Sequence, residues 1–124
     1  MTQITNSHNR NTKVTASYNC AGGIVGYADT LYVYSCSNNG TIKGAASTTA
    51  PPGNLPANSI YNVGTGGIAG GSGLSTIISS RNSGTVQGSR GVGGIIGSTL
   101  VTTQPKTYYN NTFIGFCSNS GNIN

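Results

Sequence analysis

The sequence predicts an all-β chain, a small parallel β-solenoid (β-helix) of about three coils with two projecting loops. The first observation behind this reading is a short block, Gly22-Gly23-Ile24-Val25-Gly26, which returns as Gly66-Gly67-Ile68-Ala69-Gly70 and as Gly93-Gly94-Ile95-Ile96-Gly97. The second is another block that follows in the same phase. It reads Ser35-Cys36-Ser37-Asn38-Asn39-Gly40-Thr41-Ile42, then Ser79-Ser80-Arg81-Asn82-Ser83-Gly84-Thr85-Val86, then Phe116-Cys117-Ser118-Asn119-Ser120-Gly121-Asn122-Ile123. The third is compositional. Only 35% of the chain is apolar, yet Ile and Val recur at fixed phase beside Gly, which serves turns and strands rather than a flexible coil.

The chain reads as a single repeat domain over residues 1–124, with repeat blocks at 4–14, 22–44, 66–88 and 93–124 and insertions at 45–62 and 100–112. Ile4 to Thr12 forms a worn copy of the second block: with Ile4 set on Ile77, Ser7 falls on Ser80, His8 on Arg81, Asn9 on Asn82, Asn11 on Gly84 and Thr12 on Thr85. Asn tolerates a left-handed backbone better than most residues, so Asn at a glycine position predicts positive φ there. Gly66 to Gly93 is the undecorated unit. The spacing from Gly22 to Gly66 is longer because of a stretch holding Pro51, Pro52, Gly53 and Pro56, whose prolines lack the donors of a strand ladder. The third unit is lengthened around Pro105, Tyr108 and Tyr109.

Three short strands are expected in each unit, bounded by Gly, Asn or Ser. The first is Gly23 to Tyr27. The second is Leu31 to Ser35, repeated as Ser75 to Ser79 and Thr112 to Phe116, and the third is Thr41 to Lys43, repeated as Thr85 to Gln87. No segment carries helical spacing of apolar residues. Stacked coils place Ile24, Ile68 and Ile95 in one inward ladder, Val33, Ile77 and Ile114 in a second, and Ile42, Val86 and Ile123 in a third. Asn38, Asn82 and Asn119 then form a column able to bond amide to amide. A sandwich of hairpins would also give short, regularly spaced strands, but its strands have no need to resemble one another.

The two blocks together resemble the GLUG motif, a short repeat of bacterial surface and secreted proteins that occurs in adhesin-like proteins and in non-catalytic regions of some immunoglobulin A peptidases. Gly22 to Gly44 fits its pattern nearly throughout; Gly66 to Gly88 fits with Ser80 at the Cys position; Gly93 to Asn124 fits once the insertion is removed. The resemblance implies a cell-surface or extracellular setting and supplies no catalytic residue.

The residues limit the chemistry independently. Six bases, Arg10, Lys13, Lys43, Arg81, Arg90 and Lys106, stand against one acid, Asp29, for a net charge of +5. The bases are spread out, unlike the clustered footprint of a nucleic-acid protein, so no nucleic-acid partner is expected. Paired-carboxylate hydrolysis needs two acids, so Asp29 reads as a turn residue, and a hard cation needs several carboxylates. His8 is the single histidine and reads as an exposed equivalent of Arg81. The glycine-rich runs lack the Lys-Ser/Thr ending and the helix of a phosphate cradle. Catalytic residues, cofactors and metals are therefore expected to be none.

Three cysteines cannot all pair within one chain. Cys36 and Cys117 share a phase and read as buried thiols; two coils apart, at about 9–10 Å, they lie beyond disulfide reach. Cys20 has no phase-mate. No signal peptide opens the chain and no apolar run is long enough for a membrane helix, so membrane insertion is not expected, and an exported form would be a mature or excised piece. Tyr32 and Tyr34 should alternate outward from Leu31 and Val33, and with Tyr108 and Tyr109 they make the candidate binding surface for a glycan or host protein.

The expected function is a non-catalytic structural or adhesive repeat module, extracellular or on the cell surface. Its expected partners are copies of itself, joined head to tail into fibres, or neighbouring repeats of a longer chain. Ice binding by a flat Thr-rich face is the alternative, resting on a column of Thr12, Thr41 and Thr85 that Asn122 breaks.

Overall fold

The computed structural model describes residues 1–17, 20–44, 64–89, 91–99 and 112–124. Both predicted insertions fall almost wholly outside these residues; only Thr112 is described, and it belongs to a strand. The described chain is all-β, without a helix, and every strand pair is parallel.

Four successive segments contribute the strands. The first holds β1 (Thr2–Thr5), β2 (His8–Asn9) and β3 (Lys13–Thr15). The second holds β4 (Ala21–Gly22), β5 (Val25–Tyr34), β6 (Ser37–Asn38) and β7 (Thr41–Lys43). The third repeats this as β8 (Thr65–Gly66), β9 (Ala69–Ile78), β10 (Arg81–Asn82) and β11 (Val86–Gln87). The fourth holds β12 (Val92–Gly93), β13 (Ile96–Ser98), β14 (Thr112–Gly115) and β15 (Ser118–Asn119). Pairing runs between segments: β1-β5-β9 continues to β13 and β14, β2-β6-β10-β15 forms a second sheet, β3-β7-β11 a third and β4-β8-β12 a fourth. Ile123 extends the third sheet by a bridge to Val86.

The predicted first and second strands of a unit merge into one ten-residue strand, β5 and then β9. No glycine or proline separates Tyr27 from Leu31, so nothing ends the strand there. Asp29 consequently lies within β5 rather than in a turn. The inward positions of β5 are Val25, Ala28, Leu31 and Val33, so alternation slips twice, leaving Gly26 with Tyr27 and then Asp29 with Thr30 together on the outer side. In the fourth segment β13 and β14 both pair with β9, and the second insertion enters where they part.

The ladders form as expected. Ile4, Val33, Ile77 and Ile114 are in register, as are Val14, Ile42, Val86 and Ile123. Ile24 donates its N–H to Ile68 O, and Ile68 donates in turn to Ile95 O. Burial grades along each column: Val33, Ile42, Ile68, Ile77 and Val86 are fully enclosed, whereas Ile114 and Ile123 at the last segment are 44% and 41% exposed.

One alignment is corrected. Lys13, not Thr12, pairs with Thr41, because the first segment carries one residue more between its Asn and its third strand. Asn11 is that residue, and its φ of 57° absorbs the surplus. The glycines matched to it are not left-handed; among the described residues only one glycine, Gly91, has positive φ. Gly40, Gly84 and Gly121 are glycine because a Cβ there would collide with the backbone oxygen of Thr12, Gly40 and Gly84 of the preceding segment. The shift also puts Lys13 in the column of Thr41 and Thr85, which reduces the Thr array on which ice binding rested.

Positive φ appears where no glycine announces it. Asn6, Ser35, Ser79 and Phe116 occupy one phase with φ between 50° and 56°. The next residue bridges each corner by donating to the carbonyl two positions back: Ser7 Oγ to Thr5 O (3.2 Å), Cys36 Sγ to Tyr34 O (3.4 Å), Ser80 Oγ to Ile78 O (3.0 Å) and Cys117 Sγ to Gly115 O (3.3 Å). Ser and Cys are thus interchangeable here because both are small donors. None of the three cysteines is in a disulfide.

Ile68→Ala should lower stability by about 2–5 kcal/mol, the cost of an enclosed cavity. Thr76→Ala, on the outer side of β9, should cost less than about 0.5 kcal/mol. Thermal melts of the two variants check the difference, and equal shifts would contradict this packing.

Candidate binding surface and the asparagine column

Asn9, Asn38, Asn82 and Asn119 stand in register, and each amide Nδ2 donates to the next Oδ1: Asn9 to Asn38 at 2.8 Å, Asn38 to Asn82 at 2.7 Å and Asn82 to Asn119 at 2.7 Å. Each inner amide also clamps its own turn. Asn38 Oδ1 accepts from Gly40 N–H (3.1 Å) while its Nδ2 donates to Gly40 O (3.3 Å). Asn82 does the same with Gly84, at 3.2 and 3.0 Å. Both side chains are fully enclosed, and all of their hydrogen-bonding capacity is used.

The column also explains why the two sequence blocks travel together. A Cβ at Gly23 would fall 2.6 Å from Asn38 Cγ, and at Gly67 and Gly94 it would collide with Asn82 and Asn119. The second glycine of each Gly-Gly block is therefore the seat of its own segment's Asn. Sequence spacing alone carried no signal of this contact. Asn82→Ala strands Asn38 Nδ2 and the Gly84 turn in the interior, so it should cost about 2–3 kcal/mol, against about 1 kcal/mol or less for exposed Asn119→Ala. Urea unfolding of both variants measures the difference.

Tyr32 and Tyr34 do project from the outer side of β5. Tyr34 is 44% exposed, and Tyr32 is half-buried. Tyr108 and Tyr109 lie outside the described residues. The structure adds an aromatic the sequence reading passed over: Phe113, 57% exposed, shares a column with Gln3, Tyr32 and Thr76. Its ring leans across Gly115, whose missing Cβ would sit 2.7 Å from Phe113 Cε1. Gly115 continues the column of Thr5, Tyr34 and Ile78, so two adjacent columns present Tyr34 and Phe113 on one face.

Tyr27 donates its hydroxyl to Asp29 Oδ1 at 2.8 Å, which ties the single acid to a neighbouring ring. His8 falls in the column of Ser37, Arg81 and Ser118, and its Nδ1 lies 2.8 Å from Ser37 Oγ on the surface. Arg10, Lys13, Lys43 and Arg81 are exposed, and no two of them are paired in register. Among the described residues no group of three His, Cys, Asp or Glu comes together.

Cys20 is half-buried beside Gly71, where a Cβ would sit 2.9 Å from its Sγ and 3.2 Å from the Tyr27 ring. Burial pushes its thiol above the usual range, and a backbone hydrogen bond at Gly64 partly opposes this. A thiol raised on folding favours the protonated native state. Its contribution is complete below the unfolded thiol's pKa and is lost as pH climbs through the native one. Stability should therefore fall on the alkaline side of the ordinary thiol range, and less steeply in Cys20→Ala, as denaturant melts at successive pH values would record.

Comparison with protein families, with curated proteins and with solved structures returns no match to this chain.

Proposed function

We propose that the chain is a parallel β-solenoid (β-helix) of about three coils and that it serves as a non-catalytic structural and adhesive repeat module of an extracellular or cell-surface protein. The observation that carries this reading is the register: each repeat phase pairs with the same phase of the next segment, through one amide column and the apolar ladders. Such a scaffold holds outward columns at fixed spacing and requires no reactive group. The resemblance to the GLUG motif of surface proteins supports the setting. A surface rich in Asn, Ser, Thr and Gly with a single acid accords with it.

On this reading the adhesive face is the outer side of β5 and β9 with β14, where Tyr34 and Phe113 offer apolar area beside hydroxyl-bearing neighbours, a combination suited to glycan or protein contacts. Binding to immobilised polysaccharides and host matrix proteins tests it. Tyr34→Ser combined with Phe113→Ser should reduce retention about tenfold or more, in the manner of aromatic contact residues. The melting temperature should change little. Retention equal to that of the unaltered chain would remove this face from the proposal.

A further inference from the structure

The two edges of the strand stack carry complementary hydrogen-bonding groups. Among the described residues, Asn119 Nδ2 donates only to Gly121 O, at 3.1 Å, whereas Asn38 and Asn82 each donate a second time, to the following Asn. At the opposite edge, Asn9 gives its Nδ2 to Asn38, and its Oδ1 accepts from no other side chain among the described residues. One edge of the column thus ends in a spare donor, and the other begins with a spare acceptor.

The backbone beside the column is complementary too, but in the opposite sense, its N–H groups donating to the preceding segment. Ser37, Arg81 and Ser118 donate N–H to Ser7, Cys36 and Ser80 O, and Asn39, Ser83 and Ser120 donate to Asn9, Asn38 and Asn82 O. By phase, the next acceptors are Cys117 O and Asn119 O, and the matching donors are the N–H groups of His8 and Arg10. At the left-handed corner the sense reverses on both edges together. Asn6, Ser35 and Ser79 donate forward to Tyr34, Ile78 and Gly115 O, which leaves the Phe116 N–H to meet Thr5 O.

Apolar and charged groups agree with this match. The exposed ends of two ladders, Ile114 and Ile123, continue in phase to Ile4 and Val14, which are half-buried at the other edge. His8 and the bases of the first segment fall opposite neutral residues: His8 takes the phase of Ser118, Arg10 that of Ser120 and Lys13 that of Asn122. Among the described residues no like charges meet in this match.

We infer that the chain associates head to tail with a second copy of itself, the β14–β15 edge and Ile123 of one copy receiving β1, β2 and β3 of the next. Asn119 Nδ2 bonds to Asn9 Oδ1 across the junction, and the amide column runs on from copy to copy. This rests on the proposed structural role and names its partner. The contact uses three of the four sheets, since β12 and β13 have no counterpart in the first segment. Because this contact joins different surfaces of identical chains and repeats the stacking step between segments along the column, it propagates in one dimension rather than closing into a ring.

Sedimentation velocity of the full chain over a wide concentration range tests the inference, with amide hydrogen exchange on the same samples. The expected result is mass growing in whole-chain multiples, with protection of the His8 and Arg10 amides appearing only on association. Asn119→Asp, which removes the donor and adds a charge at an exposed position, should weaken association about tenfold or more. Asn9→Cys with Asn119→Cys, in a background where Cys20, Cys36 and Cys117 are Ser, should form oxidative crosslinks between copies. A chain that stays monomeric while Asn38, Asn82 and their turns remain protected overturns this inference and leaves the structural role standing. Association indifferent to Asn119→Asp and without the crosslink overturns this junction. A chain with no protected amides overturns both.

Discussion

A primary amide can be enclosed at low cost only if two donors and two acceptor positions are all met, and the Asn column meets them by repetition. Along the column each Asn needs an Asn one segment away; across the turn it needs a residue whose N–H and C=O both point back at it. The first requirement fixes the register between segments. The second fixes the Asn-x-Gly turn. Because the amide also needs room on its own level, Gly23, Gly67 and Gly94 have to lack a side chain. A single buried group thereby connects the two halves of every unit, and the apolar ladders fill what space remains.

Much of this was legible in the sequence. Residue identity at fixed phase correctly gave the members of the three apolar ladders and the amide column, because in parallel stacking each phase meets itself and like residues suit like surroundings. The same logic placed His8 with Arg81 and identified Cys36 with Ser80 as equivalent. It failed where local geometry is set by contacts rather than by composition. The left-handed corner at Asn6, Ser35, Ser79 and Phe116 carries no glycine, so no residue type marked it; the sign lay in the small donor that follows. The merger seen in β5 and β9 was missed because Asp29 reads as a turn residue between two strands, whereas it lies inside β5. In the fold, Gly71 is extended and makes room for Cys20 and Tyr27.

The candidate surface was half legible. Alternation from Leu31 and Val33 was enough to turn Tyr32 and Tyr34 outward. Phe113 escaped notice because it adjoins an insertion, so its phase relative to Tyr32 is set only once β14 pairs with β9. Position along the stack then decides how much of each ring is covered, and sequence has no simple expression for that.

The amide column also has a direction. Every Nδ2 faces the following segment and every Oδ1 the preceding one, so the dipoles of the side chains add rather than cancel. Reversing one amide would set donor against donor on one side and acceptor against acceptor on the other. The turn forbids it as well, since the Gly84 N–H demands an oxygen and the Gly84 carbonyl a nitrogen on fixed sides of Asn82. The sense of the whole column is thus written into each Asn-x-Gly turn separately. A segment carrying that turn brings its orientation with it, which makes the stack a vector quantity: it has a beginning and an end even where its repeats are chemically alike.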